Sequence, residues 1–211
     1  TGWLERPAAE CPFIRVCQIL QSSHQRTSRS PLIKQVAYFH PLLRAVHWLM
    51  AIAIIAMLFI GVVMVSTVSS LHSLLVTIHK PLGLMILVLA LVRLWLRFYT
   101  ATPPLPASLP VWQRAMAHLS HWALYAMMLA QPLIGWAMLS AAGYPVTLGG
   151  GFVLPPIVPV NNDWYALLRP LHSVVALALF VTVMAHLAAA LLHALVLRGG
   201  VFESMSGSRR R

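Results

Sequence analysis

The sequence predicts an all-α integral membrane protein: a bundle of four transmembrane helices between two basic tails. Three observations predict it. Hydrophobic residues make up 59% of the 211-residue chain and charged residues only 9%, against about 25% charged in a typical soluble domain. Apolar blocks recur that each reach the roughly 20 residues a helix needs to cross a ~30 Å hydrocarbon core. The 15 Lys and Arg far outnumber the 4 Asp and Glu, for a formal charge of +11, yet they are sparse inside the apolar blocks. In such a chain the excess is a topology signal and not a nucleic-acid footprint. Aromatic–basic clusters of the single-strand-binding kind are absent, so no nucleic-acid partner is expected.

Residues 1–37 read as a basic tail. Its first 34 residues are polar, carry no signal-peptide apolar region and are expected to be poorly ordered. The chain opens on Thr1 and not Met, which leaves its true start open. Cys11 and Cys17 lie in this tail and form no CxxC or CxxCH, so neither a zinc knuckle nor covalently attached haem is indicated.

Residues 38–198 hold the spans. The first runs from about Leu42 to Val65 and the second from about Leu74 to Leu96. The proline-rich "TATPPLPASLP" that follows must be a loop. The third span covers about Trp122 to Ala142 and begins earlier, near Trp112; Pro132 is expected to bend it. "AAGYPVTLGGGFVLPPIVPVNNDWY" is a long connection, expected to lie against the membrane face as a lid. The fourth span covers about Leu171 to Leu197, and 199–211 reads as a second basic tail. No internal repeat is convincing.

Orientation follows from the cations. Lys34, Arg44, Arg93, Arg97, Arg114, Arg198 and the final "RRR" fall on one side, and chiefly Lys80 and Arg169 on the other. Positive residues stay inside, so both termini are expected in the cytoplasm, with a bacterial inner membrane as the setting.

The chemistry lies in the histidines, of which there are ten. His24 is in the tail, and His40 and His72 sit just outside spans, where a solvated side chain needs no special role. Ionisable groups within spans are rare and mark ion paths, proton relays or cofactors. His172 and His186 share the fourth helix. Their fourteen-residue separation is a rise of about 21 Å and a net rotation of only about 40°. They therefore lie on nearly one face, near opposite sides of the hydrocarbon. Matching by depth pairs His79 with His172 on the outer side and His47 with His186 on the inner side. Two imidazoles facing across a bundle are what a bis-histidine b-type haem needs. Two haem b groups stacked across the membrane are the expectation, with these four residues as axial iron ligands.

Other residues fit with alternatives open. Gly61 follows His47 by fourteen residues, Gly135 follows His121 by fourteen, and Gly83 follows His79 by one turn. Glycines there would make room for a flat macrocycle, or would simply let spanning helices approach. Arg93 is fourteen residues after His79. It would hold a haem propionate or a quinone carbonyl, or snorkel to the interface. His118, His121 and His193 would handle protons beside a quinone pocket, or stand as satisfied interfacial histidines. A single zinc or copper site is excluded for the four deep histidines, because ligands about 2 Å from one ion cannot span ~21 Å. A proton channel lacks its usual carboxylate: Glu5, Glu10, Asp163 and Glu203 all lie outside the expected spans.

At this point the sequence resembles the bacterial cytochrome b561 group of small four-span diheme cytochromes. The resemblance rests on "RAVHW", "IHKPLG…LVRLWLR", "AHLSHWALYAMMLAQPLIGW", "LHS…AHLAAALLH" and the "TPPLP" loop, and covers about residues 38–198. Residues 1–34 depart from it. It implies His47, His79, His172 and His186 as haem ligands. It further implies membrane electron transfer, including in some members oxidation of superoxide with reduction of ubiquinone. Lys80, next to His79, and Arg169, three before His172, would form a basic mouth that attracts a small anion. Alternatively they pair with lipid phosphate, propionates or Asp163. Two functions follow as expectations: a superoxide:ubiquinone oxidoreductase, or a quinol-linked relay or anchor that serves a separate redox protein.

Overall fold

The first helix, α1 (Pro41–Ser66), starts where its sequence says a helix can. Pro41 occupies the first turn, where its fixed φ and missing N–H do no harm. The His40 side chain accepts a hydrogen bond from the Leu42 N–H at 3.3 Å, which makes this interfacial histidine an N-cap. The computed structural model describes residues 38–101, 110–148, 151–197 and 201–207. The expectations for residues 1–37 and for the centre of the proline loop lie outside them.

Three more long helices follow: α2 (Ser70–Tyr99), α3 (Val111–Ala141) and α4 (Asn162–Leu192), the last running on into a π-helical turn, His193–Leu197. All four long helices are long and apolar enough to cross a membrane. At 30 or 31 residues each, α2 to α4 reach about 45 Å, so their ends extend past a ~30 Å core. α4 begins well before the expected Leu171. The Asn161 side chain caps it by accepting from the N–H groups of Asp163 (2.8 Å) and Trp164 (3.0 Å), and Pro170 is accommodated inside the helix.

α1 packs mainly on α2 and α3 mainly on α4, with α2 against α3 joining the pairs. The shared core is built from Leu43, Met50 and Ile54 of α1, Ile86 and Ala90 of α2, Leu124 and Met128 of α3, and Leu179 of α4. The opposite faces keep Ile52, Phe59, Val174, Leu177 and Val181 exposed, the surface that lipid accepts and water does not. The hydroxyls of Ser66, Thr77 and Thr182 bond back one turn, to the Val62, Ser73 and Ala178 carbonyls, so these three carry no open donor into lipid.

Two local departures from the expected all-helical chain stand out. The α3–α4 connection contains a short antiparallel hairpin, β1 (Val146–Leu148) with β2 (Phe152–Leu154), Thr147 opposite Val153. It is tied to α3 by the Trp136 indole N–H on the Pro155 carbonyl (3.0 Å) and by the Ile157 N–H on the Ser140 hydroxyl (3.3 Å). Within the stretch expected to be a basic tail, Val201–Ser206 form a short helix, α5. Its C-terminal carbonyls are gripped by Arg44 of α1, Nε to Met205 O at 3.0 Å and Nη2 to Ser206 O at 2.9 Å. A cation is favoured at that end of a helix. Gly207 follows with φ +72°, and a side chain there would run into the Arg44 guanidinium.

Candidate functional site

α4 carries a histidine toward each end of the bundle. At the hairpin end His172 meets His79 of α2, ring centroids 6.3 Å apart and planes at 65°. At the α5 end His186 meets His47 of α1, centroids 6.4 Å apart and planes at 78°. These separations can be tested against a metal held between two rings. With metal–imidazole bonds of about 2.0 Å and ring bonds of about 1.33 Å, two imidazoles on opposite sides of one iron have centroids about 6.3 Å apart. Both pairs therefore have the spacing of a bis-histidine site.

The hairpin end has further features of a binding site. The Nδ1 atoms of His79 and His172 are buried with no hydrogen-bond partner among the described residues, which is costly for groups that burial normally pairs. Both histidines line a cavity whose wall also includes Lys80, Gly83, Gly135 and the hairpin residues Val146 and Leu154. Gly135 leaves close room here: a Cβ on it would stand 3.0 Å from His172 Cε1. At Gly83 a Cβ would meet the Met57 methyl at an ordinary 3.7 Å, and at Gly61 it would meet nothing within 4 Å. Lys80 is brought to the cavity, whereas Arg169 is exposed and outside its lining.

The α5 end is more crowded. His121 of α3 also faces His186, centroids 5.7 Å apart, so three rings converge there. His47 lies against Trp48 at 5.6 Å, and Trp48 reaches Phe202 of α5 at 6.4 Å. Arg93 is buried, only 8% exposed. Its Nη1 donates to the Leu43 carbonyl of α1 at 2.9 Å, so it bridges helices and does not snorkel. His118 is exposed. His193 opens the π-helical turn with its Nδ1 buried and without a partner among the described residues; π-turns often accompany functional sites.

Two features of the hairpin end went unread in the sequence. Gln131, one turn before Gly135, donates from Nε2 to the His172 carbonyl at 3.0 Å. A lone amide inside an apolar block was the available signal. Pro81 and Pro170 sit inside their helices, as does the expected Pro132, each within three residues of His79, Gly135 or His172. Three proline-containing helices thus meet near one pair of rings.

A four-span bundle with a histidine pair toward each end has the architecture of a membrane cytochrome b. The family model described as prokaryotic cytochrome b561 matches residues 38–208, and the chain belongs to that family, whose members carry b-type haem and transfer electrons in membranes. It is 30% identical over 133 residues to a protein of Yersinia pestis named probable superoxide oxidase CybB, covering 63% of this chain and 75% of the relative. It is also similar to two Escherichia coli K12 proteins. It shares 30% identity over 142 residues with cytochrome b561 homolog 1, covering 67% of this chain and 80% of that one. It shares 27% over 166 residues with cytochrome b561 homolog 2, covering 77% and 88%.

Proposed function

We propose that this protein is a diheme cytochrome that takes electrons from superoxide at the hairpin end and delivers them to ubiquinone at the α5 end. The observation that carries the reading is the pair of imidazole–imidazole spacings, 6.3 and 6.4 Å, on helices that separate them by about 21 Å. His79 and His172 would hold one haem b, and His47 and His186 the other. When bound, the haems supply reversible one-electron transfer.

The chain's own residues do the rest. Lys80, at the cavity beside His79, attracts an anion toward the first haem, and Arg169 adds positive field at the surface. The hairpin, through Val146 and Leu154, covers the cavity and limits entry to small donors. At the other end His121, His118 and His193 lie near the surface that a quinone would reach, where two protons must accompany two electrons. The overall balance is two superoxide anions oxidised to two dioxygen molecules while one ubiquinone takes up two electrons and two protons. The cation distribution supports a periplasmic hairpin end and cytoplasmic termini in a bacterial inner membrane.

The test is stopped-flow absorbance of the purified oxidised protein mixed with superoxide, with haem counted per chain as pyridine hemochromogen. Two haems, fast reduction, and turnover on adding ubiquinone are expected. Two haems that superoxide barely reduces would overturn the donor and leave an electron relay for another redox protein.

A further inference from the structure

Arg93 brings a charge into the bundle core. It lies in the bundle interior, 8% exposed, and an arginine keeps its charge in such surroundings. Its partners are neutral. Nη1 donates to the Leu43 carbonyl at 2.9 Å, and Tyr125 of α3 lies within electrostatic reach. The four long helices contain no acid beyond Asp163, in the first turn of α4 at the other end of the bundle. Yet Arg93 is within electrostatic reach of His47, His121 and His186, the rings gathered at the α5 end. A buried cation on α2 tied to the α1 backbone, within electrostatic reach of three imidazoles, is a fixed source of field. In a low-dielectric interior such a field is strong and weakly screened by salt.

We propose that Arg93 is the residue that raises the potential of the haem held by His47 and His186 above that of its neighbour, and so sets the direction of electron flow toward the α5 end. The inference rests on the diheme reading above. The physical reason is charge balance: reduction of the iron removes one positive charge, and a nearby fixed cation favours the reduced form. Lys80 exerts a weaker effect on the hairpin-end haem, because it is only half-buried and solvent and counterions screen it.

The experiment is an optical redox titration of the purified, haem-loaded protein and of two variants. Arg93→Gln keeps a donor for the Leu43 carbonyl and loses the charge. Arg93→Lys keeps the charge and loses the planar fork. Arg93→Gln is expected to shift the reduced-to-oxidised ratio of the His47–His186 haem at least tenfold toward oxidised, a fall of about 59 mV for one electron. The other midpoint should stay in place, and Arg93→Lys should stay near the unaltered protein. Unmoved midpoints in Arg93→Gln would overturn the proposal, as would equal shifts in both variants, which would mean geometry and not charge. Should Arg93→Gln fail to retain haem, the order of midpoints in the unaltered protein decides, assigned with His186→Ala. A His47–His186 haem that titrates below its neighbour overturns the proposal. An unaltered chain that purifies without haem overturns the diheme reading itself, a different and visible failure.

Discussion

Replacing Gly135 with alanine adds one methyl group at the tightest point of the hairpin-end site. The new carbon would stand 3.0 Å from His172 Cε1, where carbon–carbon contacts prefer about 3.5–4.0 Å. The ring must therefore give by a few tenths of an ångström, which approaches the ~0.5 Å tolerance of a working ligand site. Overpacking of this kind costs about 1–3 kcal/mol. If it falls on the haem-bound state it weakens haem affinity about 5- to 150-fold, at 1.4 kcal/mol per tenfold. The helix itself gains up to about 1 kcal/mol from Gly to Ala, so the two effects have opposite signs in the helix and in the site. The assay is haem per chain as pyridine hemochromogen, with thermal melting alongside. The expected result is a fall from two haems toward one with little loss of melting temperature. A Gly135→Ala protein with two haems and unchanged midpoints would refute the idea that this glycine is held open for a ligand ring.

Other predictions concern single residues. His186→Ala should remove the α5-end haem and leave the other; retention of both would break the pairing with His47. Lys80→Gln should slow reduction by superoxide several-fold at low ionic strength and flatten its salt dependence, read by stopped flow across a salt series. Arg44→Ala removes both hydrogen bonds to the end of α5. Hydrogen exchange at Met205, Ser206 and their neighbours should then accelerate, by about fivefold to tenfold for roughly 1–1.5 kcal/mol, and an unchanged rate would mean that Arg44 does not hold this helix.

Much of the architecture was legible in the residues because a spanning helix must be a long apolar run, whatever surrounds it. The ends were less legible. Asn161 and Pro170 look like loop punctuation, yet the first caps α4 and the second lies inside it. The hairpin at Val146–Leu154 was hidden in a stretch whose glycines and prolines spell only a connection. Helix α5 was hidden in a tail too short to show a periodicity, and it depends on Arg44, a residue more than 150 positions away.

The sequence by itself determined the four spans, the cations that orient them, and the depth and face of each histidine. Those quantities follow from 1.5 Å and about 100° per residue, which are properties of one helix alone. The tertiary structure alone decided which side chains stand together. His47 and His121 are at similar depth, and only the packing of α1, α3 and α4 puts them 6.4 and 5.7 Å from His186. The same holds for Gly135 under the His172 ring, Gln131 on the His172 carbonyl, and Arg93 on the Leu43 carbonyl. Neighbourhood between helices is set by how their surfaces interlock, and no local pattern in a single helix encodes it.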